Sequence, residues 1–326
     1  MATIYYRRPK VDNEVYVHVI SRVVQRRYLL DREGMTEMRR ILETQAVFSG
    51  IQVITFCLMQ NHFHFLLRID PKTARKGLAD VELVRRFRAL YGSKRSPSLG
   101  LDADMLEVVL RRADERAAGI RQKLCARMGD VSVFMRELKT RFTLWYNARF
   151  GSVGTFWAER FRSVLVEPRS AAARAVAAYI DLNPVRAGMV DRPEMYGFCG
   201  FGEACAGDGL ARARYAWLGR EGRVLSGKDI FSDYLAYVER LMRKERGDVA
   251  DGVSPSIGRS ERLLFKSAFM ERAGAMGSFA WVGRLCVMGG VFGFLRARRP
   301  KLLDEGAAAG EGVHVARQWC RIGSGK

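Results

Sequence analysis

From Val15 to Val24 β-branched and aromatic residues dominate, which predicts a strand. From Gly34 to Phe48 the period changes. Met35, Met38, Ile41, Leu42 and Ala46 recur at helical spacing and predict an amphipathic helix. Two strand-like runs follow, Ile51 to Leu58 and His62 to Ile69, joined by the short turn Met59-Gln60-Asn61, and together they predict a hairpin. Pro71 to about Leu110 is basic and weakly periodic, with Arg85, Arg86, Arg88, Lys94 and Arg95, and reads as an inserted arm carrying helical pieces.

Asp130 is placed to cap a helix running to about Phe150, with Phe134, Leu138, Phe142 and Trp145 on one stripe. Phe161 to Val166 reads as a strand. Ser170 to Leu182 reads as a second strong helix, alanine-rich, with Pro184 just past its end. Strands and helices interleave around an explicit hairpin, so the expected class is α+β with an antiparallel sheet flanked by helices. A first domain is expected over residues 1–200, with a basic insert at about 71–125, and a mostly helical C-terminal extension over 201–326. The extension contains one clear helix, Asp229 to Arg243, a second small core at 255–300, and a Gly- and Ala-rich tail from Glu305.

Length and composition narrow this picture. The chain has 326 residues, 48% hydrophobic and 28% charged, which is the composition of a globular protein with room for two cores. Its 55 Lys plus Arg against 35 Asp plus Glu leave a formal net charge of +20, with a pI near 10.1. Such a surface attracts polyanions, nucleic acid first among them, with a basic membrane-lying protein as the competing reading. Most of the positive excess lies in the insert and the C-terminal extension. Met1 to Asp12 has no apolar run that would make a secretory signal. The apolar stretch Leu285 to Leu295 is well short of the roughly 20 residues a spanning helix needs. Six cysteines without a C-x-x-C pair argue for a reducing, cytoplasmic setting, and with no Walker-type glycine loop no nucleotide cofactor is expected.

Candidate chemistry sits in two places. His62 and His64 flank Phe63, and on a strand residues two apart share a face, so both imidazoles project together while Phe63, Phe65 and Leu67 turn to a core. That is either a preformed bidentate metal site or two polar positions on a half-solvated strand. Tyr179 and Asn183, four apart, share one helix face. Tyr179 suits a nucleophile toward a metal-polarised phosphodiester and Asn183 a hard oxygen ligand; alternatively Tyr179 packs in the core and Asn183 caps the helix end. Arg22, Arg160, Arg162 and Arg186 are candidate phosphate contacts, and Arg7, Arg8, Lys10, Arg26 and Arg27 interleave with Tyr5, Tyr6 and Tyr28 in the manner of a single-strand binding surface. His18 and His314 have no partner at ligand spacing and are expected to be ordinary histidines.

Together, the run Met59-Gln60-Asn61-His62-Phe63-His64 and the run Tyr179-Ile180-Asp181-Leu182-Asn183-Pro184-Val185-Arg186-Ala187-Gly188 resemble the HUH-type tyrosine transposases, in particular the REP-associated tyrosine transposases. Tyr16-Val17-His18-Val19 and Trp157-Ala158-Glu159-Arg160-Phe161-Arg162-Ser163 line up as well, so the resemblance spans about residues 14–195. It implies a ferredoxin-like (RRM-like) HUH nuclease core and a metal-dependent endonuclease and strand transferase active in transposition and DNA recombination. By the same resemblance Tyr179 forms a 5′-phosphotyrosine intermediate with single-stranded or hairpin DNA, while His62, His64 and Asn183 hold Mg²⁺ or Mn²⁺. Homodimers are common in such proteins. Asp181 adds a carboxylate near the implied site and is a candidate further ligand, and Gln60 stands where the family usually has proline. The rival readings are a catalytically silent DNA-binding regulator that keeps the fold, and a metal hydrolase in which water attacks.

Overall fold

The computed structural model describes residues 13–75, 78–219, 227–245, 273–278, 301–302 and 314–317. In chain order it contains β1 (Val15–Arg22), α1 (Arg32–Ser49), β2 (Gln52–Met59), β3 (His62–Ile69), α2 (Pro71–Arg75), α3 (Asp80–Tyr91), α4 (Ala103–Arg111) and α5 (Glu115–Cys125). Then come α6 (Val131–Phe150), β4 (Arg162–Val166), α7 (Ala171–Asp181), α8 (Asn183–Arg186), α9 (Gly200–Cys205), α10 (Gly209–Arg214), α11 (Gly227–Glu245), β5 (Ala273–Gly277), β6 (Lys301–Leu302) and β7 (His314–Arg317). The second small core expected at 255–300, apart from β5, and the tail from Glu305, apart from β7, lie outside the described residues, as do Tyr5, Tyr6, Arg7, Arg8 and Lys10. Among the described residues no helix is long and apolar enough to cross a membrane.

The class is α+β. The sheet order is β2-β3-β1-β4-β5-β7-β6, and the first four strands pair antiparallel throughout. With α1 between β1 and β2, and α6 between β3 and β4, this is the β-α-β-β-α-β arrangement of a ferredoxin-like core. Strand alternation gives the sheet two faces. On one, Val17, Val19, Phe56, Phe63, Phe65 and Leu67 pack beneath Met38, Ile41 and Leu42 of α1 and Phe134, Leu138 and Phe142 of α6. Burying each such side chain contributes about 1.5–3 kcal/mol. Both helices start where their caps dictate: Asp31 accepts from the Gly34 amide at 2.7 Å and Asp130 from the Ser132 amide at 2.8 Å.

The insert is more ordered than an arm. Its helices α3 to α5 enclose Leu83, Phe87, Leu90, Leu106, Leu110 and Leu124 in a core of their own that docks on Phe48 at the end of α1. The period is weak along the segment because its helices are short, 12, 9 and 11 residues, and the turns between them break the phase.

On the second sheet face lies α7, whose alanines Ala172, Ala173, Ala177 and Ala178 let its backbone approach Tyr16, Cys57 and Leu66 closely. Phe201, Tyr215, Tyr234, Val238 and Leu241 join the same buried cluster from beyond Gly200. Gly200 is required there, since a Cβ on it would stand 2.7 Å from Thr55 Oγ1.

Asp181 corrects an expectation. Two residues beyond Tyr179 it faces nearly the opposite side of α7, away from the histidines, and is fully buried. Its carboxylate accepts from Thr55 Oγ1 at 2.6 Å, Tyr234 OH at 2.6 Å, Tyr215 OH at 3.1 Å and Cys199 Sγ at 3.6 Å. It is thus a brace between β2, α7 and the C-terminal helices. Burial pushes its pKa up to about 6, against the pull of these hydrogen bonds. An ordinary aspartate ionises near 3.8, so the folded state holds this proton more tightly than the unfolded chain. Asp181 therefore favours folding most below about pH 4, and that contribution, about 3 kcal/mol, fades as pH rises through about 6. Asp181→Asn does not titrate, so the difference in unfolding free energy between the two proteins should move by about 2 kcal/mol from pH 4 to 7.5 in chemical denaturation. A difference constant with pH would mean that the carboxylate is ionised throughout.

Candidate active site

The pairing of β1 with β3 sets Ile20 opposite His64 and Arg22 opposite His62, and β2 adds Cys57 and Met59 to the same rows. β4 places Arg162 opposite Ile20. Directly paired residues share a face. His18, Arg22, His62, His64 and Arg162 therefore all project to the side covered by α7, while Phe63 and Phe65 stack on each other in the opposite core at 4.3 Å between centroids.

His18 is the residue that sequence reasoning missed. The expectation of an ordinary histidine rested on spacing along one strand, yet it is the diagonal cross-strand neighbour of His64. Its Nε2 lies 3.0 Å from His64 Nδ1, and the two rings stack with centroids 5.2 Å apart. Both are fully buried. The available signal was alternation itself: Tyr16, His18, Ile20 and Arg22 repeat every second residue on the strand that precedes α1.

Tyr179 is delivered by α7, whose N-terminus is fixed by Ser170 Oγ accepting from the Ala173 amide at 3.1 Å. Its ring stands edge-on to His18 and His64 at 5.9 and 5.6 Å, and the Arg186 guanidinium lies over it at 5.5 Å. The ring is 4% exposed. Asn183 opens α8, half-buried, and its Nδ2 donates to the Tyr179 carbonyl at 2.9 Å. It therefore does cap the α7 end, while its amide oxygen is not committed by that bond.

Both β3 histidines have Nδ1 engaged. His62 Nδ1 lies 2.5 Å from Asn61 Oδ1, an acceptor, so His62 carries a proton on Nδ1. His64 Nδ1 faces His18, and its Nε2 is buried with no hydrogen-bond partner. An unsatisfied buried imidazole nitrogen is costly, and with the His62 ring centroid 5.0 Å away it is an atom a divalent cation could complete. Among the described residues no group of three or more His, Cys, Asp or Glu side chains is arranged to hold a metal. The side chains that could hold one are His62 and His64, with the Asn183 amide oxygen as a candidate third donor. Burial, then the neighbours His62, His18 and Arg22, push the His64 pKa well below the usual histidine value, which keeps the ring neutral.

The remaining candidates sit at the rim. Arg22 is half-buried in the His62 row. Trp157 packs edge-on to Phe63 at 5.4 Å and donates its indole N–H to the Lys139 carbonyl, while the Ala158 amide bonds the Arg22 carbonyl at 3.0 Å. These contacts bring the Trp157–Ser163 segment beside the site. On it Arg160 is exposed, and exposed Arg162 pairs with Glu159 at 2.9 Å.

Residues 12–80 match the family model described as transposase IS200-like, a stretch that includes β1, β2 and β3 and so His18, His62 and His64. No curated protein matches the chain. Among solved structures it is similar to a REP-associated tyrosine transposase bound to a REP hairpin, with 15% identity and a TM-score of 0.38, covering 63% of this chain and 86% of that one.

The neutrality of His64 is testable directly. In an NMR pH titration its imidazole signals should remain those of a neutral ring at pH 6.5, where an ordinary histidine is half protonated. Because the folded value is depressed, this group stabilises the fold above pH 6.5 and that contribution is lost as pH falls. A midpoint at the ordinary value would mean that water reaches the ring.

Proposed function

We propose that this chain is a transposase that cleaves and rejoins single-stranded or hairpin DNA, with Tyr179 as the nucleophile. The observation that carries the reading is the packing of the Tyr179 ring edge-on against His18 and His64 beneath the Arg186 guanidinium. A phenol, the unpartnered Nε2 of the buried His64 and a guanidinium are thus brought together. The family match over residues 12–80 supports the reading on the strands that carry the histidines, and a net charge of +20 suits a polyanionic substrate.

In this reading the Tyr179 oxygen attacks the scissile phosphorus as the phenol gives up its proton to solvent or a nearby base. The P–O3′ bond breaks, the departing 3′ oxygen takes a proton, and a 5′-phosphotyrosine remains. Attack by a 3′-hydroxyl on that linkage reverses the bonding and releases Tyr179, so rejoining needs no nucleotide cofactor. A Mg²⁺ or Mn²⁺ ion held by the Nε2 atoms of His62 and His64 with the Asn183 oxygen would neutralise phosphate charge and favour in-line attack. Arg186 orients the phenol, and Arg22, Arg160 and Arg162 hold flanking phosphates. Residues 1–200 carry the chemistry, while 201–326 brace α7 through Asp181 and, with the insert, add positive charge along the DNA. With one nucleophile per chain, two strand breaks require two chains, as in a homodimer, or two rounds.

Tyr179→Phe should abolish the covalent adduct formed with labelled hairpin DNA and Mn²⁺ on a denaturing gel, while DNA affinity changes no more than a few-fold. His62→Ala should remove activity together with its Mn²⁺ dependence. An adduct that persists in Tyr179→Phe excludes this nucleophile. Cleavage without any adduct points instead to attack by water, and binding without cleavage to a regulator.

A further inference from the structure

We infer that His18 is a positioning residue that accepts the Nδ1 proton of His64 and thereby turns the bare Nε2 of His64 toward the site. The inference rests on the metal-binding reading above and goes one step behind it. The 3.0 Å contact joins His18 Nε2 to His64 Nδ1, so one proton is shared between two nitrogens. If His18 donates it, His64 as a neutral ring must carry its own proton on Nε2. That would bury an N–H with nothing to receive it, because His64 Nε2 has no partner. If His64 donates, His18 Nε2 is satisfied as an acceptor and His64 Nε2 presents a lone pair.

The geometry also separates this role from direct ligation. The Nε2 of His18 is turned to the Nδ1 edge of His64, the edge remote from the atom that would coordinate, and the near-parallel stacking at 20° holds the two rings together. His62 is served in the same way from a different side, by Asn61 Oδ1. Each β3 imidazole thus has its own acceptor on Nδ1, one from the preceding turn and one from the adjacent strand. This is the arrangement that selects the Nδ1–H form of a histidine and leaves its other nitrogen unprotonated.

The test uses the full-length protein without DNA. In ¹⁵N NMR of the metal-free wild type, His64 should show a protonated Nδ1 and a bare Nε2; a proton on Nε2 overturns the inference. His18→Leu, which removes the acceptor, should shift His64 toward the Nε2–H form and weaken Mn²⁺ affinity, read by electron paramagnetic resonance, about 10- to 100-fold. His18→Gln, whose amide oxygen can accept, should stay within a few-fold of wild type in both readouts. An unchanged tautomer and unchanged Mn²⁺ affinity in His18→Leu would refute the role. Equal losses in His18→Gln and His18→Leu would also refute it, since packing alone would then account for them. If His18→Leu does not fold, as judged by circular dichroism, the wild-type tautomer and His18→Gln still decide. A wild type that binds no Mn²⁺, with His64→Ala behaving identically, would remove the metal reading of the site, while the tautomer measurement would continue to decide the role of His18.

Discussion

The site depends on the register of β1 against β3. Antiparallel pairing places Ile20 opposite His64 and Arg22 opposite His62, which puts His18 on the diagonal and within hydrogen-bonding distance of His64. Strand side chains alternate between faces, so a slip of one residue would turn His62 and His64 into the α1–α6 core and Phe63 and Phe65 toward α7. The apolar core prevents that slip. Phe63, Phe65 and Leu67 on β3 and Val17 and Val19 on β1 are all fully buried on the other side, and exposing even a few of them would cost several kcal/mol, at about 1.5–3 kcal/mol each. The phenylalanines between and beside the histidines hold the imidazoles in place, though they take no part in the chemistry.

The second half of the site comes from a helix held from the far side. Tyr179 and Asp181 lie two residues apart on α7 and so face nearly opposite ways. Asp181 gathers donors from β2, from the turn at Tyr215 and from α11, and so ties the helix that carries Tyr179 to the C-terminal region. The cluster that surrounds this brace contains residues from both before and after Gly200. A buried carboxylate with several hydroxyl partners fixes the position of α7 more narrowly than apolar packing alone, because each donor accepts only a small range of distances and angles.

Electrostatically the site is unlike most of the surface around it. Most arginines of the core and insert are spent on local pairs such as Arg39 with Glu203 at 2.7 Å and Arg127 with Glu137 at 2.8 Å. At the site the neighbours that bear on His64 are His62, His18 and Arg22, and they all disfavour a proton on it. Asp181, the carboxylate that sequence reading had set near this patch, points away and is occupied elsewhere. The result is a buried His64 ring whose neighbours disfavour its protonation and whose Nε2 has no hydrogen-bond partner, with guanidinium groups close by.

Much of this was legible in the chain itself. Alternation marked β1, the β2–β3 hairpin and the shared face of His62 and His64. Helical spacing with Asp130 and Ser170 as caps marked α6 and α7, and the separation of Tyr179 and Asn183 put them at one helix end. These features are local, set by backbone geometry and by hydrogen bonds between residues a few positions apart. What only the tertiary structure decided is long-range. His18 meets His64 across 46 residues of sequence, Asp181 meets Tyr234 across 53, and the insert closes on a small core of its own. No period along one segment encodes the diagonal of a strand pair or the far side of a helix, because those contacts arise only once independent elements have docked.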